Sequence, residues 1–197
     1  MSTKNKVIFV VDGKTERALE KKIDQSTCTI RFVRRKYNGR EVPISLIAKE
    51  CIGILNAIYS AGVVIVLIVD REDRDISDQT MEAQLRAQIT AGFSGSYNIV
   101  VANQMFENWI LSDIENVSDK NSEVLKRASN SASNEGKDGT TILNSLWKSN
   151  RGEKYSSDKI TNAKVLFRSV RTDEGVKYST SFDKLRSILT SVGVKFL

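Results

Sequence analysis

The residues best suited to chemistry are acids that follow apolar runs. Asp70-Arg71-Glu72-Asp73-Arg74-Asp75 comes directly after Val63-Val64-Ile65-Val66-Leu67-Ile68-Val69, and Asp12-Gly13-Lys14-Thr15-Glu16 comes directly after Lys6-Val7-Ile8-Phe9-Val10-Val11. Carboxylates grouped in this way suit a hard divalent cation, because Mg²⁺ takes carboxylate oxygens and keeps water or phosphate as its remaining ligands. Ordinary structural roles compete with that one: a solvated charged turn for residues 70–75, a helix N-cap for Asp12 and a first-turn dipole partner for Glu16. Histidine is absent from the 197 residues, which removes Ser-His-Asp and Cys-His catalysis and histidine-ligated zinc. Any chemistry rests on Asp, Glu, Lys, Arg, Tyr, Ser or Cys. Cys28 and Cys51 show no metal-type spacing and read as buried free thiols of a reducing cytosol.

The hydrophobic pattern supplies the elements that must position these acids. Residues 63–69 read as a strand buried on both faces, the usual state of a central parallel strand. Asp70 then stands at its C-terminal end, the edge where open α/β sheets bind ligands. Residues 6–11 predict a first strand, and Ala18, Leu19 and Ile23 an amphipathic helix after it; residues 27–33 predict a second strand. Pro43 opens a helix whose apolar face is Ile44, Leu46, Ile47, Cys51, Ile54, Leu55 and Ile58. Strand, helix, strand, helix, strand is the order of parallel crossovers. Met81, Leu85 and Ile89 support a further helix, residues 97–101 a fourth strand, and residues 105–113 a short helix with Phe106, Trp109 and Ile110 inward. Composition turns to Ser, Asn, Lys and Gly between Ser118 and Gly139, so a mobile surface region is expected at about 129–139. Helices resume with Leu143 and Leu146, Leu166 and Phe167, and Leu185 and Leu189. The expectation is one α/β domain over residues 1–197: a mostly parallel sheet of about four strands flanked by helices (core about 6–113), with a helical C-terminal part at about 141–192.

Charge is unevenly distributed. Residues 70–78 hold five acids against two bases, a local charge of −3 in a chain of net charge +6. An acidic pocket on a basic body suits an enzyme that handles polyanions, the body attracting phosphate and the pocket holding a bridging cation. Arg34, Arg35, Lys36 and Arg40, interleaved with Tyr37, form a candidate nucleic-acid contact, where charge follows the backbone and the ring offers a stacking face; a solvated loop would show the same composition. No apolar run approaches the ~20 residues of a membrane span, and no export signal is read, so a cytoplasmic protein without a membrane partner is expected.

Taken together, Asp12-Gly13-Lys14-Thr15-Glu16 and Asp70-Arg71-Glu72 resemble a Toprim domain, the metal-binding fold of topoisomerases, primases and OLD-type nucleases. The likeness is to small stand-alone Toprim-like proteins whose first strand ends in Glu-Gly-x-Thr-Glu. Phe106-Glu107-Asn108-Trp109 resembles the Glu-x-Trp helix of that group, Lys159 lies in a segment similar to its Tyr-and-Lys segment, and Ser179-Thr180-Ser181-Phe182 resembles its closing Ser-x-Ser-Phe motif. The resemblance implies one or two Mg²⁺ or Mn²⁺ ions held by Asp12, Glu16, Asp70 and Glu72. It also implies Lys14 among the catalytic groups and supporting roles for Glu107 and Lys159. Two positions depart from the pattern: Asp12 is one methylene shorter than the family's Glu, and Glu72 one longer than its Asp. Mg²⁺ demands near-octahedral geometry at ~2.0–2.1 Å, so Asp73 or Asp75 stands as the alternate to Glu72.

The activity implied is metal-assisted phosphodiester hydrolysis of DNA or RNA in bacterial or phage defence. The rival is a non-catalytic binding or regulatory subunit that docks on an ATPase partner; the chain has no P-loop glycine pattern of its own. A primase or topoisomerase is disfavoured, since no nucleophilic tyrosine stands out.

Overall fold

Unbroken apolar runs are satisfied only where both faces of a strand are covered, and the sheet is built on that constraint. The computed structural model describes residues 4–128, 130–134 and 136–197. Strands β1 (Asn5–Val11), β2 (Cys28–Arg34), β3 (Val63–Asp70) and β4 (Asn98–Ala102) lie in the order β2-β1-β3-β4, each neighbouring pair parallel. The α/β class, the parallel sheet and its flanking helices are as the sequence predicts.

From β1 the chain moves outward to β2 through a 3₁₀ turn, Thr15–Lys21. It then returns past β1 to β3 through α1 (Ile44–Ile58) and continues to β4 through α2 (Asp78–Thr90). When the direction of progression reverses, the covering face reverses too, as crossovers of constant hand require. Val7, Phe9, Val11, Val66 and Ile68 pack with Ala18 and Leu19 on one side, and Val10, Ile65, Leu67 and Val69 with Leu55, Met81 and Leu85 on the other. Cys28 and Cys51 are both free and buried, one in each core.

The remaining helices all add to the first side: α3 (Glu107–Leu111), α4 (Ile114–Lys120), α5 (Gly139–Arg151), α6 (Lys159–Ser169), α7 (Thr172–Gly175) and α8 (Thr180–Ser191). Their centre is aromatic. The Trp109 ring lies 5.3 Å from Phe106 and 5.4 Å from Phe182, centroid to centroid, and its Nε1–H donates to Ser181 Oγ at 2.8 Å.

Local details differ from the sequence reading. The link after β1 is a 3₁₀ turn rather than an α-helix, and Ile23 leaves it to form an antiparallel bridge with Phe196. Helix α4 runs past the composition change at Ser118. That hydroxyl is buried, donates to the Ile114 carbonyl at 2.7 Å and accepts the Ala128 N–H at 3.1 Å, so a polar residue holds the turn that follows it. In the region expected to be mobile, Ser129 and Glu135 lie outside the described residues; a 3₁₀ turn occupies Ser131–Asn134, and the Asp138 carboxylate caps α5 by accepting the Thr141 N–H at 2.9 Å. Among the described residues, no helix is long and apolar enough to cross a membrane.

Because Trp109 joins α3 to α8 through both packing and a buried hydrogen bond, Trp109→Ala is expected to lower unfolding free energy by about 3–5 kcal/mol. Urea unfolding followed by circular dichroism checks this; a loss below about 1 kcal/mol would show that the two helices do not depend on that ring.

Candidate functional site

In the order β2-β1-β3-β4 the chain leaves β1 in one direction and β3 in the other, so the loops at their C-terminal ends diverge and leave a crevice. A cavity of about 180 Å³ lies there. Asp12, Gly13 and Glu16 line it from the β1 side, Asp70 and Glu72 from the β3 side, and Glu107 and Lys159 from α3 and α6.

Asp12 is the first residue beyond β1, and its carboxylate is fully engaged. One oxygen, Oδ1, pairs with the Arg35 guanidinium, both side chains being buried, and Oδ2 accepts the Asp70 N–H at 3.1 Å. The Asp12 carbonyl also accepts from Arg34 Nε at 3.3 Å and Asn38 Nδ2 at 3.0 Å, while the Arg35 N–H donates to the Val11 carbonyl at 2.8 Å. These contacts lock the ends of β1, β2 and β3 together. They also correct one assignment. Arg35, grouped by the sequence with Arg34, Lys36 and Arg40 as a nucleic-acid contact, is 1% exposed and faces inward, where its charge balances Asp12. Arg34, Lys36 and Arg40 are exposed, and Arg40 pairs with Asp73 at 2.8 Å.

Glu16 sits in the first turn of the 3₁₀ segment, 2% exposed. Its Oε1 accepts the Gly13 N–H at 3.0 Å, and its Oε2 is buried without a hydrogen-bond partner among the described residues. Burial pushes the Glu16 carboxyl above its ordinary range, against the pull of its own backbone N–H and that of Gly13. Asp70 ends β3 and accepts the Phe106 N–H on Oδ1 at 3.1 Å. Burial raises its carboxyl well above the usual carboxylate range, and the charges of Glu16, Glu107 and Glu72 add to the effect.

Glu72 reaches the cavity through an unusual backbone. It has φ +56° and faces Gln104 at φ +67°, the Glu72 N–H donating to the Gln104 carbonyl at 2.7 Å. Left-handed geometry costs a non-glycine residue roughly 1–2 kcal/mol, and here that hydrogen bond extends the β3–β4 ladder through the turn. The rest of the acidic loop is held by arginines. Arg71 donates to the Arg74 carbonyl at 2.7 Å, and Arg74 to the Gly39 and Val42 carbonyls at 2.6 and 2.8 Å. Asp73 and Asp75 are exposed and do not line the cavity; Lys14 is likewise exposed and outside its lining.

Glu107 and Lys159 meet at the cavity wall. Glu107 is 1% exposed, and its Oε1 meets Lys159 Nζ at 3.1 Å and accepts the buried Tyr155 hydroxyl at 3.2 Å. Burial pulls the Lys159 ammonium down, but Glu107, Asp70 and Glu16 outweigh it, so the lysine holds its proton more tightly than usual. Tyr155 escaped the sequence reading: an isolated tyrosine carries no periodic signal, and only the docking of α5 and α6 on α3 brings it to Glu107. Gly139 permits that docking, since a Cβ there would lie 2.8 Å from Glu107 Cβ.

Four acids, Glu16, Asp70, Glu72 and Glu107, therefore face one ammonium across a small space. Oxygen donors of this kind and the unpartnered Glu16 Oε2 fit a hard cation in their chemistry. Asp12 is not available to one while Arg35 holds it. Among the described residues, no three such side chains converge closely enough, as they stand, to form a preassembled metal site.

Two outcomes are expected. Arg35→Met strands the buried Asp12 charge and should cost about 3–5 kcal/mol, most of it recovered in the Asp12→Asn/Arg35→Met double variant; urea unfolding of the three proteins measures it, and additive losses would disprove the coupling. Asp70 binds a proton more readily folded than unfolded, so its contribution is full below the unfolded value and falls as pH rises from about 4. Asp70→Asn keeps the acceptor for Phe106 but not the charge, so its Tm should gain on wild type with rising pH in metal-free buffer. A constant difference from acid to neutral pH would contradict the raised proton affinity. Comparison with family models, with curated proteins and with solved structures found no match to this chain.

Proposed function

We propose that the chain is a metal-dependent phosphodiesterase acting on DNA or RNA, with its reacting centre in the cavity between β1 and β3. The observation that supports this most is the surplus of buried carboxylate at the topological switch point, with a Glu16 oxygen left unpartnered, on a chain of net charge +6. Uncompensated acids in a low-dielectric pocket destabilise one another unless a proton or a cation joins them. A protein that maintains such a pocket beside a polyanion-attracting surface is suited to recruiting both ion and phosphate.

In this reading Glu16, Asp70 and Glu72 would hold one or two Mg²⁺ or Mn²⁺ ions. A divalent ion so held supplies activation of water and charge stabilisation on the leaving oxygen. The remaining work falls to the chain itself. Lys159, kept protonated by Glu107, offsets phosphate charge at the cavity. Tyr155 and Gly139 fix Glu107, which in turn fixes Lys159. Asp12 acts by position: with Arg35 it sets the spacing of β1 and β3, and hence of Glu16 and Asp70.

A second reading is a non-catalytic module that docks on an ATPase partner, and the engagement of Asp12 by Arg35 favours it. One experiment separates the two. Plasmid, single-stranded DNA and RNA are incubated with the chain and Mg²⁺ or Mn²⁺, beside Asp70→Ala and Glu16→Ala. Cleavage that falls about 100-fold or more in both variants is expected. Cleavage that survives Asp70→Ala would place the activity elsewhere, and no cleavage with either ion, with an ATPase co-purifying, would leave the second reading.

A further inference from the structure

The 3₁₀ segment Thr15–Lys21 and helix α6 pack side by side, and both start at the cavity just described: Thr15, Glu16 and Lys159 line it. Their later residues line a separate hollow of about 300 Å³. Lys21 enters it from the 3₁₀ segment, Lys164 and Arg168 from α6, with Thr161 and Ser169 supplying hydroxyl groups; the Asn121 amide beside them already donates to the Val117 carbonyl and to Ser169 Oγ. Among the described residues no carboxylate lines it, and none of these three cations belongs to an ion pair.

The surroundings add to the positive field. Lys22 is 8% exposed and makes no ion pair among the described residues; burial and the nearby Lys120 charge both lower its affinity for its proton. Asp113, the acid that acts on Lys22, is already held by Arg171 at 2.8 Å. Cations left unpaired around a concave surface with hydroxyl donors are suited to phosphate oxygens, which accept both charge-assisted and neutral hydrogen bonds.

We infer that this hollow is a phosphate-binding groove for a polynucleotide backbone, so that a strand reacting at the cavity continues along α6 and not only over the loop after β2. The ligand's identity rests on the phosphodiesterase reading; the groove itself rests on its own residues. Lys159 and Arg168 are nine residues apart on α6, about 14 Å of axial rise at 1.5 Å per residue and half a turn out of phase at 3.6 residues per turn, so a strand passing from the cavity to the hollow goes round the start of the helix. The loop after β2 contributes less than its composition promises, because Arg35 is buried and Arg40 is paired with Asp73.

Fluorescence anisotropy of labelled DNA and RNA oligonucleotides, titrated in EDTA at several salt concentrations, tests the groove. Lys164→Gln/Arg168→Gln is expected to weaken binding about tenfold or more at low salt and to flatten the plot of log K against log salt by roughly two, with Lys164→Arg/Arg168→Lys restoring both. Circular dichroism and Tm matching wild type separate this effect from misfolding. Unchanged affinity and slope in the double variant, or a wild type that binds neither nucleic acid, would overturn the groove. Cleavage lost in Asp70→Ala but binding unaffected in the groove variants would remove the groove and keep the phosphodiesterase; groove-dependent binding without cleavage would do the reverse.

Discussion

The ion pair between Asp12 and Arg35 is the constraint on which the site depends. It joins the residue after β1 to the residue after β2, and through the other Asp12 oxygen it reaches the backbone of Asp70 at the end of β3. A buried pair of this kind contributes little net stability compared with apolar packing, since desolvation of both charges offsets their attraction. Its effect is geometric. With three strand ends fixed, the cavity between β1 and β3 keeps its width, and Glu16 and Asp70 are held on opposite walls. The same pair takes the first acid of the strand-one motif out of the set available to a ligand.

What remains in the cavity is unbalanced. Asp70, Glu16 and Glu72 are all shifted toward their protonated forms by burial, and among the described residues Lys159 is the one ammonium that lines the space with them. The fold sustains this by distributing the acids over separate elements, each anchored for its own reason: Asp70 by the Phe106 N–H, Glu16 by the Gly13 N–H, Glu72 by the ladder hydrogen bond to Gln104. No single element tolerates the repulsion alone, and the surplus charge exists because the packing of the rest supports it.

Asymmetry of the two sheet faces explains how the pocket is closed. Helices α1 and α2 cover one face with an aliphatic core and contribute no side chain to the cavity. The other face carries α3 to α8, and from it come Glu107, Lys159 and the Tyr155 that holds Glu107. The aromatic cluster around Trp109 therefore has a consequence beyond stability, since it fixes α3, and with it Glu107, against the sheet edge.

The parallel sheet, its central strand and the position of Asp70 at that strand's end were legible in the sequence. Each follows from local period: a seven-residue apolar run has one comfortable environment, and the residue after it must emerge at the sheet's edge. The composition change at Ser118 misled because a buried serine can satisfy its hydroxyl within its own helix, which composition does not reveal. The partners of the charged side chains were not legible at all. Arg35 stands among four cations in the sequence, and nothing local distinguishes the one that turns inward to Asp12 from those that stay in solvent. Lys159 and Tyr155 are remote from Glu107 in the chain and meet it only after α5 and α6 dock. The sequence by itself determined the backbone's elements and which residues end them, because those depend on neighbours a few positions away. The tertiary structure alone decided which charges pair, because long, flexible side chains choose partners by distance in space and by the loss of competing water.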